Sequence, residues 1–355
     1  MSDRNVSPDS GQHWADEGAW PAAPGVHRIP LPLPTDGLRA VNVYAIETDG
    51  AEGGLTLVDG GWAIEAGRAA LDKGLAQIGY AASDIRRFLV THVHRDHYTQ
   101  AVVVRREFGS RIALGLADKP TLDRVHEGTD DNRMAALLHD SGAADLADRW
   151  VRLVAGPGPD LSHWGYPDEW LEDDVDLAVG ARTLRAVATP GHTRGHYVFV
   201  EPDAGLLFAG DHVLPTITPS IGFEPVPASL PLGDFLSSLT KVRALPDAVL
   251  LPAHGPVAPS VHARVDELLA HHDERLSQCR NALAPGGRSA YDVAARLTWT
   301  RHEHPLADLD TFNQTLAVLE TRAHLELLVA RGDAVAVDTA DGRAYAPVSP
   351  GPRSP

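Results

Sequence analysis

Thr91-His92-Val93-His94-Arg95-Asp96-His97 follows the apolar, strand-like run Phe88-Leu89-Val90 and precedes a stretch with helical spacing. Four residues able to ligate a metal fall within six positions of one another. Successive side chains of extended backbone alternate faces, so His92 and His94 can grip one ion from the same side. Asp96 and His97 stand at the turn into the helix and can be aimed at a second ion beside it. Imidazole and carboxylate donors suit zinc, with iron, manganese and cobalt as competitors. Three later segments each put another donor just past a strand-like run: Thr189-Pro190-Gly191-His192, Phe208-Ala209-Gly210-Asp211 and Leu251-Pro252-Ala253-His254-Gly255. Strand ends along one sheet edge converge naturally into a site.

Around these segments, short apolar runs bounded by turn residues predict strands at 26–33, 41–47, 55–58, 88–91, 183–188, 197–200, 206–209 and 248–251. Helical spacing puts Ile64, Leu71, Leu75 and Ile78 on one face, then Ala101, Val104 and Phe108 on another, with Gly109 able to end the second helix. A third helix carries Leu232, Phe235, Leu236, Leu239 and Val242. Residues 118–178 depart from the alternation, with helical stretches near Met134–His139 and 146–154 and an aromatic loop from His163 to Trp170, so they read as a helical, lid-like insertion. After residue 260 the pattern turns helical and closes with a hairpin at 335–338 and 343–346 joined through Asp341-Gly342. Residues 1–24 and 347–355 read as loosely ordered ends, 25–260 as the main domain and 261–346 as a small winged-helix-like domain.

The 355 residues carry 31 Lys and Arg against 48 Asp and Glu, a formal charge of −17, which repels nucleic acid and anionic lipid unless a local patch reverses it. The tail from Ser260 to Pro355, with ten Arg, no Lys and thirteen acidic residues, has the wrong sign for tracking phosphates, so packing or homodimerisation is its expected role. No apolar run approaches the roughly 18 residues that span a bilayer, and the first twenty residues lack a signal-peptide apolar region, so no membrane partner and a cytoplasmic location are expected. A single cysteine, Cys279, fits a reducing compartment and reads as structural. Histidine is the unusual component, with 18 copies. Among them His302 with His304, His271 with His272, and His126 read as exposed polar residues.

The histidine-rich segment, the three later donor segments and Asp59 in the early Asp59-Gly60-Gly61 turn, in this order, resemble the metallo-β-lactamase-fold hydrolase superfamily over roughly residues 25–260. The resemblance implies an α+β fold, a four-layer αββα sandwich with two metals at one edge. It implies that His92, His94 and His192 hold the first metal, that Asp96, His97 and His254 hold the second, and that Asp211 bridges them. An aspartate at 211, where secreted antibiotic-degrading members have cysteine or serine, is similar to the glyoxalase II, lactonase and nuclease branches. The stretch from Gly210 through Leu232-Gly233-Asp234-Phe235 to His254-Gly255-Pro256, with the helical tail, resembles hydroxyacylglutathione-hydrolase-like proteins that carry a C-terminal winged helix. One departure is Tyr98-Thr99-Gln100, where the family often has glycines after the Asp-His pair.

The expected activity is hydrolysis of an acyl bond in a small molecule, thioester before lactone or ester, by a hydroxide shared between two Zn(2+) ions, with Fe or Mn as alternative metals. Asp59, Asp96 and Asp211 are the catalytic candidates, Asp59 by orienting a ligand or the hydroxide. Tyr98, His196 and His212 are candidates for the leaving-group acid, and with Trp164 and Tyr166 they are the candidate substrate-binding residues. Rival readings are a metal-dependent ribonuclease, a mono-iron sulfur-dioxygenase-like oxidoreductase, and a non-catalytic metal-bearing regulatory protein.

Overall fold

The computed structural model describes residues 5–34, 37–49, 53–128, 133–156, 158–300, 302–340 and 342–348. The chain divides into two units, one of Met1–Gly128, Pro159–Pro219 and Ser237–Asp266, the other of Thr129–Gly158, Ser220–Leu236 and Glu267–Pro355.

In the first unit, β1 (Trp20–Ala23), β2 (Val26–Pro32), β3 (Ala40–Thr48), β4 (Gly54–Val58), β5 (Ile85–Leu89), β6 (Arg111–Gly115) and β7 (Glu169–Leu171) form one sheet in sequence order. The strands from β1 to β4 are antiparallel, and β4 to β7 run parallel. Parallel neighbours need crossovers, supplied by α1 (Glu65–Gln77) between β4 and β5 and by α2 (Arg95–Phe108) between β5 and β6. Helix α3 (Lys119–Glu127) follows β6. The second sheet has the order β12-β11-β10-β9-β8, with β8 (Val175–Val179), β9 (Arg182–Ala188), β10 (Tyr197–Glu201), β11 (Leu206–Gly210) and β12 (Val249–Pro252).

Side-chain alternation explains the layering. Tyr44, Ile46, Val58 and Leu89 from one face of the first sheet pack with Ala186, Phe199, Phe208 and Leu251 of the second. The opposite face, with Val41, Val43, Leu57 and Phe88, packs with Leu71 and Leu75 of α1 and Ala101 and Val104 of α2. Burial on both faces is why β3 and β4 read as nearly continuous apolar runs. Each large side chain so covered contributes about 1.5–3 kcal/mol. Gly109 at φ +80° ends α2 as its sequence predicts.

Two sequence expectations change here. Glu169–Leu171, expected inside the insertion's loop, is the edge strand β7 beside β6. Residues 5–24, expected to be loose, are fastened to the fold: Trp14 is buried, and Asp9 accepts two bonds from the buried Arg28, Nε at 2.7 Å and Nη2 at 3.1 Å. Their anchors are paired polar groups rather than an apolar run, so hydropathy gives no sign of them.

The second unit holds α4 (Arg133–Asp140), α5 (Ala144–Val154), β13 (Arg288–Ser289), α8 (Ala290–Ala294), β14 (Thr298–Trp299), β15 (His304–Pro305), α9 (Thr311–Ala330), β16 (Ala334–Thr339) and β17 (Gly342–Pro347), while α6 (Pro231–Arg243) and α7 (Val261–Asn281) each run from one unit into the other. Strands β13, β17 and β16 form a small sheet in that order, and the expected hairpin is β16–β17. Its turn residue Asp341, and residues 1–4 and 349–355 of the expected loose ends, lie outside the described residues. The expected insertion is therefore split. Its helices α4 and α5 group with α9, where Trp150 of α5 meets Phe223 and Phe312, whereas 159–178 stays with the first unit. The boundary expected after residue 260 falls at the start of α7, which continues as one helix to Asn281. Among the described residues no helix is long and apolar enough to cross a membrane.

Candidate metal centre

Strand β5 stops at Leu89, and the chain runs irregularly through Thr91 to His94, whose extended backbone (φ −61°, ψ 148°) caps α2. That geometry brings donors from four loops of the first unit into two adjoining groups. His92, His94, His192 and Asp211 form one, and Asp96, His97 and His254 the other. All lie at strand or helix ends just past β5, β9, β11 and β12. Gly210 explains part of the closeness: at φ +51°, a Cβ there would stand 2.7 Å from both His196 Nε2 and the Thr91 side chain.

In the first group, His92 Nε2 lies 2.9 Å and His192 Nε2 3.1 Å from His94 Nδ1, and Asp211 Oδ2 lies 3.4 Å from His192 Nε2. In the second, Asp211 Oδ1 is 3.6 Å from His97 Nε2 and 3.4 Å from His254 Nε2, while Asp96 Oδ2 is 3.6 and 3.5 Å from the same two nitrogens. The two oxygens of Asp211 thus face different groups.

These spacings suit a shared cation. Zn–N bonds of about 2.0–2.1 Å in a tetrahedron put neighbouring donors roughly 3.3 Å apart. His97 Nε2, His254 Nε2 and Asp211 Oδ1 are buried with no hydrogen-bond partner, although burying such atoms unsatisfied is costly. Each ring is turned by its other nitrogen. His97 Nδ1 donates to Asp59 Oδ2 at 2.9 Å, and His254 Nδ1 donates to the Ala40 carbonyl at 2.7 Å. Both arrangements leave Nε2 as the inward-facing atom, the usual way a ligating histidine is held.

Electrostatics separates the groups. Burial, reinforced by the neighbouring imidazoles, holds His92 well below its usual range and, with His192, pushes His94 down to about 3, so these rings are neutral. For His97, burial acts downward but the carboxylates of Asp59, Asp96 and Asp211 outweigh it and push the ring up to about 10. His254 is raised in the same way by Asp211 and Asp96. Against their own burial, Asp96 and Asp211 are held below the usual carboxylate range by His97 and His254. The carboxylates of the second group therefore favour positive charge among its donors.

Asp59 is buried at φ +62°, a left-handed conformation that Asp and Asn tolerate better than most residues. Besides His97, it accepts bonds from Thr91 N at 2.8 Å and Thr91 Oγ1 at 3.0 Å, tying the Asp-Gly-Gly turn to the histidine segment. Gly60 lets that turn touch α2, since a Cβ would stand 2.7 Å from Ala101 N. The departure at Tyr98-Thr99-Gln100 has a packing reason. Thr99 Oγ1 accepts from Ala63 N at 2.9 Å, and Gln100 N donates to the Gly61 carbonyl at 2.9 Å, so these residues hold the turn against the helix.

The residues expected to meet substrate are held by contacts of their own. Tyr98 is buried with its hydroxyl on the Gly165 carbonyl. His196 is buried, Nδ1 on Thr189 Oγ1 at 2.9 Å and Nε2 accepting from Asp211 N at 3.1 Å, so it positions Asp211. His212 is fully buried, and burial pushes it down to about 3. Trp164 packs on the core, its carbonyl bonded by His126 Nε2. Tyr166 stacks on His126 and bonds Asp123 through its hydroxyl at 2.6 Å. The aromatic loop is thus pinned to α2 and α3.

Two sets of positioning residues escape sequence reading. Asp118, fully buried just past β6, accepts from Val93 N at 2.9 Å, Gly195 N at 2.8 Å and Thr193 Oγ1 at 3.3 Å, joining the two histidine-bearing loops. Its place after a strand end, like that of the other donors, is the available signal, but the sequence reading assigns no strand to 111–115. Asn42 bonds the carbonyls of Pro252 and Gly255 on either side of His254 and accepts from Arg28, so the N-terminal Asp9–Arg28 pair reaches this loop.

The sequence profile of the Metallo-beta-lactamase superfamily matches residues 36–254. The chain belongs to that superfamily. Over 151 residues it is 34% identical to an atrochrysone carboxyl ACP thioesterase from Paecilomyces divaricatus, covering 41% of this chain and 43% of that one. Over 144 residues it is 33% identical to a hydroxyacylglutathione hydrolase from Bartonella quintana, covering 39% and 53%. The chain thus spans about half the length of these curated relatives. A metallo-beta-lactamase family protein from Thermus thermophilus superposes with a TM-score of 0.75 at 27% identity, over 92% of this chain and 99% of that one. The superfamily match takes in every donor of both groups and Asp59 and Asp118 beside them.

Proposed function

We propose that this superfamily member is a dinuclear metal-dependent hydrolase that cleaves an acyl bond, a thioester first and a lactone or ester second, in a small molecule. The observation that carries the reading is Asp211, whose two oxygens face different donor groups at 3.4–3.6 Å. His92, His94 and His192 would hold one divalent ion, Asp96, His97 and His254 the other, and Asp211 both, with zinc the first candidate on donor type. When bound, such a pair supplies Lewis acidity and lowers the pKa of water to near 7. Asp59 fixes the His97 tautomer, His196 holds the backbone of Asp211, and Asp118 sets the spacing of the two histidine loops. The partial matches to a thioesterase and a hydroxyacylglutathione hydrolase support an acyl substrate.

Purified protein is assayed on glutathione and coenzyme A thioesters, lactones and a structured RNA, with metal content measured and with or without chelator. Chelator-sensitive hydrolysis of a thioester or lactone with two metals per chain is expected. RNA cleavage, or one iron per chain with oxygen uptake, overturns the acyl-hydrolase reading. Asp211→Ala is expected to lose both ions and turnover together.

A further inference from the structure

His271 and His272, read from sequence as exposed polar residues, behave differently in the second unit: His271 is exposed, but His272 is 0% exposed. Donor atoms of His271, His272 and of Glu320 on α9 lie within 4.8 Å of one another. A chain of hydrogen bonds decides which atom of His272 is available. His324 Nδ1 lies 2.7 Å from the Glu320 carbonyl, which can only accept, so Nδ1 carries the proton and Nε2 of the neutral ring is the lone pair. His272 Nδ1 lies 3.1 Å from that lone pair and must be the donor. His272 Nε2 is then itself a lone pair, and it is buried without a hydrogen-bond partner.

His272 belongs to a group with a second imidazole and the carboxyl of Glu320, which burial pushes up to about 7. Glu320 is half-buried, and its side chain makes no hydrogen bond or ion pair among the described residues. Arg275, the cation whose charge reaches Glu320, is committed elsewhere: Nη1 to Gln278 Oε1 and Nη2 to the Thr298 carbonyl, each at 3.1 Å, with the guanidinium 4.4 Å over the Trp299 ring. A buried unpartnered imidazole nitrogen on a residue grouped with a carboxyl and a second imidazole suits a cation. Two imidazoles and a carboxylate select a borderline transition metal over calcium or magnesium, which prefer all-oxygen shells.

We propose that His271 and His272 of α7 and Glu320 of α9 form a separate site for a borderline transition-metal cation such as Zn(II), pinning the two helices together. Closing donors that already lie within 4.8 Å of one another to ligand spacing takes side-chain rotation at the exposed His271 and the half-buried Glu320, while His272 is already fixed by His324. The site shares no residue with the centre built around Asp211 and does not depend on the reading of that centre.

The test is a calorimetric Zn(II) titration of chelator-stripped, full-length protein as wild type, His271→Ala, Glu320→Gln and His192→Ala. Both first variants change solvent-reaching side chains, which spares the core that His272→Ala would disturb. Wild type should bind one equivalent more than His271→Ala or Glu320→Gln. His192→Ala should weaken loading elsewhere but keep this equivalent. The same stoichiometry in wild type, His271→Ala and Glu320→Gln overturns the proposal, as does an extra equivalent that survives both substitutions.

Discussion

Asp59→Asn isolates what the Asp-Gly-Gly turn does for the centre. Asparagine keeps the size of the side chain and tolerates φ +62°, so the backbone has no reason to move. What changes is acceptor capacity. Three donors converge on two carboxylate oxygens in the wild type: Thr91 N, Thr91 Oγ1 and His97 Nδ1. An amide offers one oxygen. If that oxygen faces Thr91, the NH2 group meets His97 Nδ1, which can only answer by becoming an acceptor. The ring proton then moves to Nε2, and a donor points at Asp96 and Asp211 where a lone pair stood. If the amide is reversed, its NH2 opposes Thr91 N–H instead, and a buried donor is left unmatched at a cost of about 1–3 kcal/mol. Loss of an outer partner of a ligating histidine typically costs about 10–100-fold in metal affinity, which is about 1.4–2.8 kcal/mol, the same range. The assay is competition for zinc against a chelator of known affinity, resolving two equivalents at this centre. One equivalent is expected to weaken about 10- to 100-fold, and the other, held by His92, His94 and His192, to change by only a few-fold. Both equivalents unchanged in a folded Asp59→Asn protein would refute the orienting role.

Three further outcomes follow from buried groups. Asp9→Ala strands the Arg28 guanidinium, buried at 0% side-chain exposure, and should cost about 3–5 kcal/mol in urea unfolding; a loss under about 1 kcal/mol would show the N-terminal segment to be dispensable. Asp118→Ala leaves two backbone N–H groups and the Thr193 hydroxyl without their acceptor, so zinc affinity should fall at least tenfold with circular dichroism unchanged; unchanged affinity would count against the loop-spacing role. Burial pushes the Cys279 thiol up from 9.0 to about 12, so in the folded protein it should resist alkylation at pH 8 and react once urea is added. Its linkage has a definite sign: between those pH values the unfolded chain has lost a proton that the folded one keeps, so this group's contribution to stability falls as pH rises. Rapid labelling without denaturant would contradict the burial.

The donors of the centre were legible because their pattern is local. His92 to His97 packs four of them into six positions, and His192, Asp211 and His254 each follow an apolar run that becomes the end of a strand. Helical spacing likewise exposed the face of α1, and the apolar run at 41–47 marked β3 as a strand. The partners that aim those donors were not legible. Asp118 and Asn42 are single polar residues whose meaning depends on loops roughly 75 to 210 positions away. Tyr98, His196 and His212 sit beside ligands in the chain and so read as substrate contacts, yet neighbours on a helix or at a strand end point in different directions, and all three turn inward to packing and hydrogen bonds.

The sequence by itself therefore determined the superfamily and the candidate donors, because ligand chemistry at strand ends survives as a linear pattern. Tertiary structure decided which oxygen of Asp211 faces which group, which nitrogen of each ring is turned inward, and that residues 5–24 and the insertion's helices belong to packed units. Those are facts of direction and of long-range pairing. A hydrogen bond such as that from Asn42 to Gly255 spans 213 positions and leaves no periodic trace along the chain.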